Sequence, residues 1–310
     1  MWRGQLRIAN KMLHPKLIEL EKSFNTSVLT QIFDPLLVEK KVELWIKRDD
    51  LIHPVISGNK WRKLKFILNQ ALIEDSHTII SMGGAYSNHL HALAYAGKQL
   101  NMSTVGYIRG EMPKRWSSTL LDLEKWGMEL RFVSRSDYRQ LRQYKKSNEL
   151  PGIKEGEYWL PEGGAHSLAL TGVSEIITEI DMDYDAVCVP CGTGTTLAGL
   201  AEASMERCKV FGFSALKGGD FLQNDVEMML SKNKFNGTIY LDYHFGGFAK
   251  TNNELLLFIQ QFFLQHAIEL DHVYTGKMFY ALFELISKNQ FKAGQRLIAI
   301  HTGGLQGKRE

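Results

Sequence analysis

The sequence predicts an α/β protein of two domains, with open, mostly parallel twisted sheets and helices on both faces. Two observations lead to this class. Short apolar runs alternate with amphipathic stretches along most of the 310 residues, and glycine-rich turns follow several of the apolar runs. Such alternation is typical of parallel strands joined by crossover helices. The length fits one large or two medium domains and suffices to bury a core.

The first series of elements runs to residue 133. Its helical stretches repeat apolar side chains every three or four residues, as Trp61, Leu64 and Leu68 do. This spacing places them on one face of a helix. The patterns predict strands at 42–47, 78–82, 104–108 and 129–133 and helices at 58–74, 89–100 and 118–126.

A polar break at 135–157, part helix and part connector, separates a second series from the first. Glycine, proline and charged residues concentrate there, as in connections between domains. The second series predicts strands at 158–160, 186–189, 210–213, 239–243 and 297–300, and helices at 168–180, 196–204 and 221–230 with two more across 253–289.

Composition excludes several classes of protein. Apolar residues make up 44% of the chain, which is typical of a globular protein and excludes a disordered or collagen-like one. A formal net charge of +3 gives no reason to expect a nucleic-acid or membrane partner. Three cysteines are too few for a disulfide framework. Charges interrupt the first twenty residues, and no apolar run approaches the ~20 residues of a membrane span, so we expect a soluble, cytoplasmic protein.

The turn at 189–196 carries the strongest chemical signal. It lies between an apolar strand and a helix, where glycine N–H groups, hydroxyls and the helix N-terminus together favour an anion. No Gly-Lys-Ser/Thr follows, so it is not a P-loop, and Leu197 replaces the third glycine of a dinucleotide fingerprint. We interpret the turn as a phosphate cradle; the alternative is an ordinary capped turn.

Lys60 follows Ser57, a candidate N-cap, in the first turn of a predicted helix. The positive end of a helix disfavours an ammonium group and lowers the pKa of the amine. Such an amine can attack a carbonyl carbon. The alternative is a solvated surface lysine, the usual state of this residue.

Three further segments follow predicted strands. Residues 81–89 end in Ser87, Asn88 and His89, which either cap a helix or offer donors to a ligand. His89 and His91 do not share a helix face, so a metal pair is not expected. The His-Thr-Gly-Gly segment at 301–304 is by itself an ordinary turn. In the Cys-x-x-Cys segment we expect a core cysteine, Cys188, beside a loop cysteine, Cys191, rather than a redox or zinc site.

In this order the segments resemble the fold-type II pyridoxal-phosphate enzymes, and within them the 1-aminocyclopropane-1-carboxylate deaminase and D-cysteine desulfhydrase family. Residues across most of the chain carry the resemblance. They are the segments at 47–50, 57–64, 83–89, 161–164, 191–196, 273–277 and 301–304.

The resemblance implies roles for individual residues. Lys60 would form the Schiff base with pyridoxal 5'-phosphate, and Ser87 and Tyr274 would complete the catalytic set. Ser87, Asn88, His89, Phe248 and Tyr274 would contact the substrate. The remaining cofactor-binding residues would be Lys63, Asn88, Cys191, Gly192, Thr193, Gly194, Thr195, Thr196 and, at the pyridine nitrogen, Thr275 or Thr302.

The resemblance also implies a homodimer acting on a small amino acid. Each subunit would have a large cofactor-binding domain of residues 1–56 and 158–310 and a small mobile domain of residues 57–157. The expected reaction is β-elimination on an amino acid such as D-cysteine, giving pyruvate, ammonia and sulfide, in the lyase or hydrolase class.

Two positions depart from the deaminase members of this family. Thr275 stands where those members have Glu, and Phe248 stands where a catalytic Tyr is expected. Both departures favour D-cysteine desulfhydrase activity over opening of the cyclopropane ring to 2-oxobutanoate. Two alternatives remain: a non-catalytic homologue that binds the cofactor, and a nucleotide-binding domain pair. The second lacks the acidic ribose ligand about 20 residues beyond the glycines.

Overall fold

The strands form two sheets. The protein is described here by a computed structural model that covers residues 13–204, 207–231 and 234–309. A six-stranded sheet has the order β1-β2-β10-β7-β8-β9 and a four-stranded sheet the order β5-β4-β3-β6. The strands are β1 Leu29–Ile32, β2 Glu43–Lys47, β3 Thr78–Gly83, β4 Ser103–Arg109, β5 Met128–Val133, β6 Glu157–Leu160, β7 Ala186–Cys191, β8 Lys209–Ser214, β9 Gly237–Tyr240 and β10 Arg296–Ile300.

Both sheets are parallel, except that β1 is antiparallel to β2 at one edge of the larger sheet. Helices flank the sheets, as predicted from the alternation of patterns. The α-helices are α1 Pro15–Glu21, α2 Pro35–Lys40, α3 Asn59–Ile73, α4 Asn88–Leu100, α5 Ser118–Lys125, α6 Arg135–Leu141, α7 Ser167–Thr178, α8 Thr195–Ser204, α9 Phe221–Met229, α10 Asn253–His266 and α11 Thr275–Ser287. No helix in the described ranges is long and apolar enough to cross a bilayer.

The four-stranded sheet is formed by one continuous stretch of chain. Its strands β3 to β6 follow one another in sequence without a strand of the other sheet between them. β6 pairs with β3 over Thr78↔Glu157 to Ser81↔Leu160, so the smaller sheet extends past residue 157. The sequence pattern assigned this strand to the second series because it follows the polar break. The division into domains stays a prediction; it assigns most of β6 to the large domain, whereas β6 pairs with β3 of the smaller sheet.

Helix α3 is buried on nearly all sides. Its apolar side chains Trp61, Leu64 and Ile67 pack in one core with residues of α4. Its opposite side carries Arg62, which forms a bidentate ion pair with buried Asp49 beyond β2. The helix therefore packs in the core that includes residues of the smaller sheet, and an ion pair links it to the segment that follows β2 of the larger sheet.

Glycines allow three helices to pack closely. A Cβ at Gly172 of α7 would lie 1.8 Å from the carbonyl oxygen of Arg62 in α3. A Cβ at Gly199 of α8 would lie 2.7 Å from the side chain of Val173 in α7. The stack α3–α7–α8 thus fixes the first turn of α3 relative to the first turn of α8, and the two turns form the site described next.

Candidate active site

The first turn of α3 is held by a backbone contact that only glycine permits. Gly58 has φ +63°, and a Cβ there would lie 2.0 Å from the carbonyl oxygen of Thr302. Gly58 is itself the N-cap, and it provides no side-chain hydrogen bond to the helix. The prediction that Ser57 caps this helix is therefore wrong, because the close approach to Thr302 requires glycine at the cap position. The N-terminus of α3 is left without a capping side chain.

Lys60 is the half-buried amine at this end of α3. Its Nζ donates a hydrogen bond of 2.8 Å to Oδ1 of Asn59. Burial lowers the pKa of Lys60 to about 8, against an opposing attraction from the Asp271 carboxylate. A larger fraction of the amine than in an ordinary lysine is therefore unprotonated near neutral pH and available as a nucleophile.

Lys63 lies one turn further along α3 and is buried. Its Nζ donates to the carbonyl oxygen of Gly163 at 3.0 Å and lies 3.5 Å from Oγ1 of Thr193. Burial lowers its pKa well below the usual range, and the positive charge of Lys60 lowers it further. Two basic groups at the same site favour an anionic ligand, because an anion would offset their mutual repulsion.

The turn after β7 offers backbone donors to such an anion. Within the described residues, the N–H groups of Gly192, Thr193 and Gly194 donate to no backbone carbonyl, and the first N–H groups of α8 lack intrahelical acceptors by geometry. Oγ1 of Thr193 lies 3.0 Å from Oγ1 of Thr195. Asn59 donates to Oγ1 of Thr196 at 2.8 Å, which joins this turn directly to α3.

Cys191 does not lie in a loop, contrary to the prediction from the sequence. It is the last residue of β7, not a loop residue, and its side chain packs in an apolar core. Burial raises the pKa of this thiol to about 12. The strand extends further than predicted because Cys191 still pairs with Ser214 of β8. Cys191 directly precedes the turn that we predict to hold the phosphate.

Ser87 and Asn88 open α4 on the other side of the site. Ser87 is the N-cap, and its hydroxyl oxygen accepts from the N–H of Leu90 at 3.2 Å. The hydroxyl proton remains available for a ligand. Asn88 accepts at Oδ1 from Nε2 of Gln306, and a Cβ at Gly304 would lie 2.9 Å from its Nδ2. The C-terminal segment thus orients the Asn88 amide.

His89 is buried beneath these two residues, with 3% exposure. Its Nε2 lies 2.9 Å from Oγ of Ser81, whereas Nδ1 has no hydrogen-bond partner within the described residues. Burial, and then the positive charges of Lys60 and Lys63, lower its pKa to about 3. The ring is therefore neutral at any working pH.

Tyr274 and Phe248 form an aromatic edge of the site. Their ring centroids are 6.0 Å apart, and a Cβ at Gly192 would lie 3.1 Å from the Tyr274 hydroxyl. Burial raises the pKa of Tyr274 well above its usual value, so the phenol stays protonated and can donate. Phe248 is 51% exposed and adds no polar atom.

Asp271 is the residue that the sequence patterns missed. Its buried carboxylate accepts from the N–H groups of Val273 and Tyr274 at 2.7 Å each and from that of Thr275 at 2.8 Å. The Thr275 hydroxyl donates to the same carboxylate at 2.6 Å. Of the two candidate partners of the pyridine nitrogen, Thr275 is thus already engaged, which favours Thr302. A lone acid three residues before a tyrosine is no recognisable motif.

Lys277, also unassigned from the sequence, supports the loop that carries Phe248. Its buried Nζ donates to the carbonyl oxygens of His244 and Gly247 at 2.9 and 2.8 Å. Its only signal in the sequence is its place in the Tyr-Thr-Gly-Lys segment.

The structure thus brings residues from both sheets and from the C-terminal segment together at one site.

Comparison with known proteins identifies the family. The model of the family described as pyridoxal-phosphate dependent enzyme matches residues 33–303. A bifunctional D-cysteine desulfhydrase/1-aminocyclopropane-1-carboxylate deaminase of Arabidopsis thaliana, named as mitochondrial, is 32% identical over 86% of this chain and 73% of its own. A D-cysteine desulfhydrase of Klebsiella pneumoniae is 29% identical over 84% of this chain and 87% of its own.

Solved structures agree with these relatives. The crystal structure of an ACC deaminase homologue has a TM-score of 0.80 and 28% identity, covering 96% of this chain and 97% of that one. The chain belongs to the pyridoxal-phosphate-dependent enzyme family, in the group of 1-aminocyclopropane-1-carboxylate deaminases and D-cysteine desulfhydrases.

Proposed function

We propose that this protein is a pyridoxal-phosphate-dependent lyase that eliminates the β-substituent of a small amino acid such as D-cysteine. One observation carries the proposal. Lys60, an amine with a pKa of about 8, lies in the first turn of α3, beside the predicted phosphate cradle that leads into α8 of the same helix stack. The products would be pyruvate, ammonia and sulfide.

The residues present fit pyridoxal phosphate. Gly192 to Thr196 offer open N–H groups and hydroxyls for the phosphate, Lys63 offers a nearby cationic donor, and Lys60 offers the amine for the aldehyde carbon. Thr302 would face the pyridine nitrogen, where a hydroxyl cannot hold a proton as a carboxylate would. When bound, pyridoxal phosphate supplies an electron sink for the bonds at the substrate Cα.

The chain's own side chains supply the proton transfers. Lys60, displaced by the substrate amine, is the base placed to accept the α-proton, because its lowered pKa keeps a share of it unprotonated. The Ser87 hydroxyl can bind the substrate carboxylate and relay a proton, since its oxygen already accepts from the N–H of Leu90 and no acceptor for its proton lies among the described residues. Loss of the β-substituent followed by hydrolysis would give a keto acid and ammonia.

The reaction class is lyase; our expectation of a hydrolase is wrong, because the relatives' names fit an elimination. Opening of the cyclopropane ring is the second candidate function, supported by the names of the relatives. Phe248 argues against it, because it presents an apolar edge beside Tyr274 where a second hydroxyl is expected. A homologue that binds the cofactor without catalysing a reaction is the third candidate, and it is suggested by the same residue, Phe248.

Keto-acid and ammonia release should be measured with D-cysteine and 1-aminocyclopropane-1-carboxylate, using wild type and Phe248→Tyr. We expect wild type to favour D-cysteine, and Phe248→Tyr to raise the relative rate on the cyclopropane substrate. Turnover of the cyclopropane substrate alone would contradict the main proposal. If no D- or L-amino acid gave keto acid or ammonia, the protein would be the non-catalytic homologue.

A second measurement tests the anchor residue. Lys60→Ala should abolish the visible absorbance that the purified protein owes to covalently bound cofactor. Lys277→Met serves as the matched control, because Lys277 is also a buried lysine with a pKa lowered to about 8. Persistence of the band in Lys60→Ala would show that another lysine is the anchor.

We further propose a homodimer located in the cytoplasm, with a small-molecule substrate and no nucleic-acid or membrane partner. Support for a reducing compartment comes from the cysteines Cys188, Cys191 and Cys208, all of which are free thiols. Sedimentation analysis of the holoenzyme tests the dimer, and localisation of a tagged chain tests the compartment.

A further inference from the structure

One buried polar atom in the site lacks a partner. Among the described residues, the buried side-chain atoms without a hydrogen bond are His89 Nδ1, Thr119 Oγ1 and His266 Nε2. Only the first belongs to the candidate active site. A buried acceptor without a hydrogen-bond donor is destabilising, so its position indicates a ligand that completes it.

The neighbours of His89 fix which nitrogen carries the proton. Ser81 has one hydroxyl proton, and its Oγ lies 2.7 Å from the carbonyl oxygen of Leu160, which can only accept. Because this proton goes to Leu160, the contact of 2.9 Å between Ser81 Oγ and His89 Nε2 requires a proton on Nε2. Nδ1 therefore presents a bare lone pair.

Gly164 places no side chain beside this lone pair. Gly164 has φ +71°, and the Cβ that it lacks would lie 3.7 Å from Nδ1 of His89 and 3.6 Å from Cβ of Lys63. Burial, and then the charges of Lys60 and Lys63, lower the pKa of the His89 ring and keep it from gaining a second proton. The site thus contains a neutral group that can only accept a hydrogen bond from its ligand.

A small amino acid has three polar groups to offer. Its carboxylate is an acceptor and is repelled by a lone pair, and its amine is committed to displacing Lys60. The cofactor phosphate, largely ionised at neutral pH, is also an acceptor and has its own cradle at residues 192–196. The remaining donor is a hydrogen on the β-substituent.

We propose that Nδ1 of His89 accepts a hydrogen bond from the β-substituent of the substrate, so that this residue selects amino acids with a β-thiol or β-hydroxyl. The inference rests on the proposed function and specifies its substrate class. Substrates without such a donor, including the cyclopropane amino acid, leave Nδ1 unsatisfied.

The kinetic test compares D-cysteine with 3-chloro-D-alanine, which undergoes the same elimination without a β-donor; L-enantiomers are run alongside. In His89→Phe we expect the ratio of kcat/KM for D-cysteine to that for the chloro substrate to fall about 10- to 100-fold, the effect of one buried hydrogen bond. His91→Phe is the matched control, a buried histidine of the same helix bonded to Asp122, and it should leave the ratio unchanged. An equal loss on both substrates would overturn the proposal.

A spectroscopic test keeps the proposal falsifiable if the variant does not fold. In wild-type holoenzyme labelled with 15N-histidine, the Nδ1 resonance of His89 should have the position of an unprotonated nitrogen. It should shift on adding D-serine and stay in place with D-alanine, which lacks a β-donor. Equal shifts with both ligands would refute the assignment. If wild type turned over neither substrate, the proposed function would fail, and the NMR comparison would still decide the role of His89.

Discussion

We expect the protonation of Lys60 to control whether the site binds its cofactor covalently. Its pKa of about 8 lies below the ordinary lysine value because the amine is buried. The unprotonated fraction therefore rises about tenfold per pH unit up to pH 8 and then levels off. We expect the rate at which apoenzyme gains visible absorbance from added pyridoxal phosphate to follow this curve.

Nα-acetyl-lysine, whose side-chain amine is free, is the control for this pH profile in the same buffers. A solvated amine should continue to gain rate up to about pH 10.4. An enzyme profile that follows the free amine, with no plateau above pH 8, would contradict the burial that the structure shows for Lys60.

At the residue scale, the site residues that could be predicted from the sequence are those in motifs with a recognisable spacing. Lys60, Lys63 and the glycine–threonine turn follow strands at positions where ligands bind, so their segments could be recognised. Asp271 and Gln306 belong to no motif. They act through contacts that form only when distant segments meet, as when Gln306 reaches Asn88.

Among the elements, the glycine contact between α7 and α3 sets the position of Lys60. A Cβ in Gly172→Ala would meet a backbone oxygen at 1.8 Å, which no side-chain rotation can relieve. We expect the helices to separate, the protein to lose roughly 1–3 kcal/mol of stability in urea denaturation, and the cofactor to bind more weakly.

Thr178→Ala is the control for that substitution, because Thr178 is an exposed residue at the end of the same helix. It should change the free energy of unfolding little. If Gly172→Ala kept both its stability and its cofactor affinity, the close crossing would not be what positions the amine.

Elements with strong periodicity or buried apolar runs were predicted to within a few residues. The edge strand β1 and the short helices α1 and α2 were missed. β1 is four residues long, with three only half-buried, so it lacks a continuous apolar run. Helix α2 begins at Pro35 after the cap residue Asp34. Its six residues are too few to show a helical periodicity, so the cap signal alone did not predict the helix.

At the scale of the whole molecule, the C-terminal segment connects the two sheets. It leaves β10 of the larger sheet and reaches α4 through Gln306 and α5 through the ion pair of Arg309 with Asp122. Gln306→Ala frees the Asn88 amide to turn away from the site. We expect the dissociation constant of the cofactor, measured by absorbance titration, to rise about tenfold for the loss of one hydrogen bond.

Arg309→Ala separates this orienting role from general attachment of the C-terminal segment. It removes the contacts to Asp122 and to the carbonyl oxygen of Gln306, and it leaves the Gln306 side chain unchanged. Cofactor affinity should then change less than in Gln306→Ala. A larger effect for Arg309→Ala would show that tethering the segment matters more than orienting Asn88.

The smaller sheet is built from one unbroken stretch of chain, and this has a practical outcome for engineering. Only two crossovers, one between α3 and β3 and the other after β6, would be needed to transplant β3 to β6 between relatives. Such a chimaera would exchange Ser87, Asn88 and His89 together while the recipient kept its own Lys60 and phosphate turn. Substrate preference and cofactor chemistry could then be recombined as separate modules.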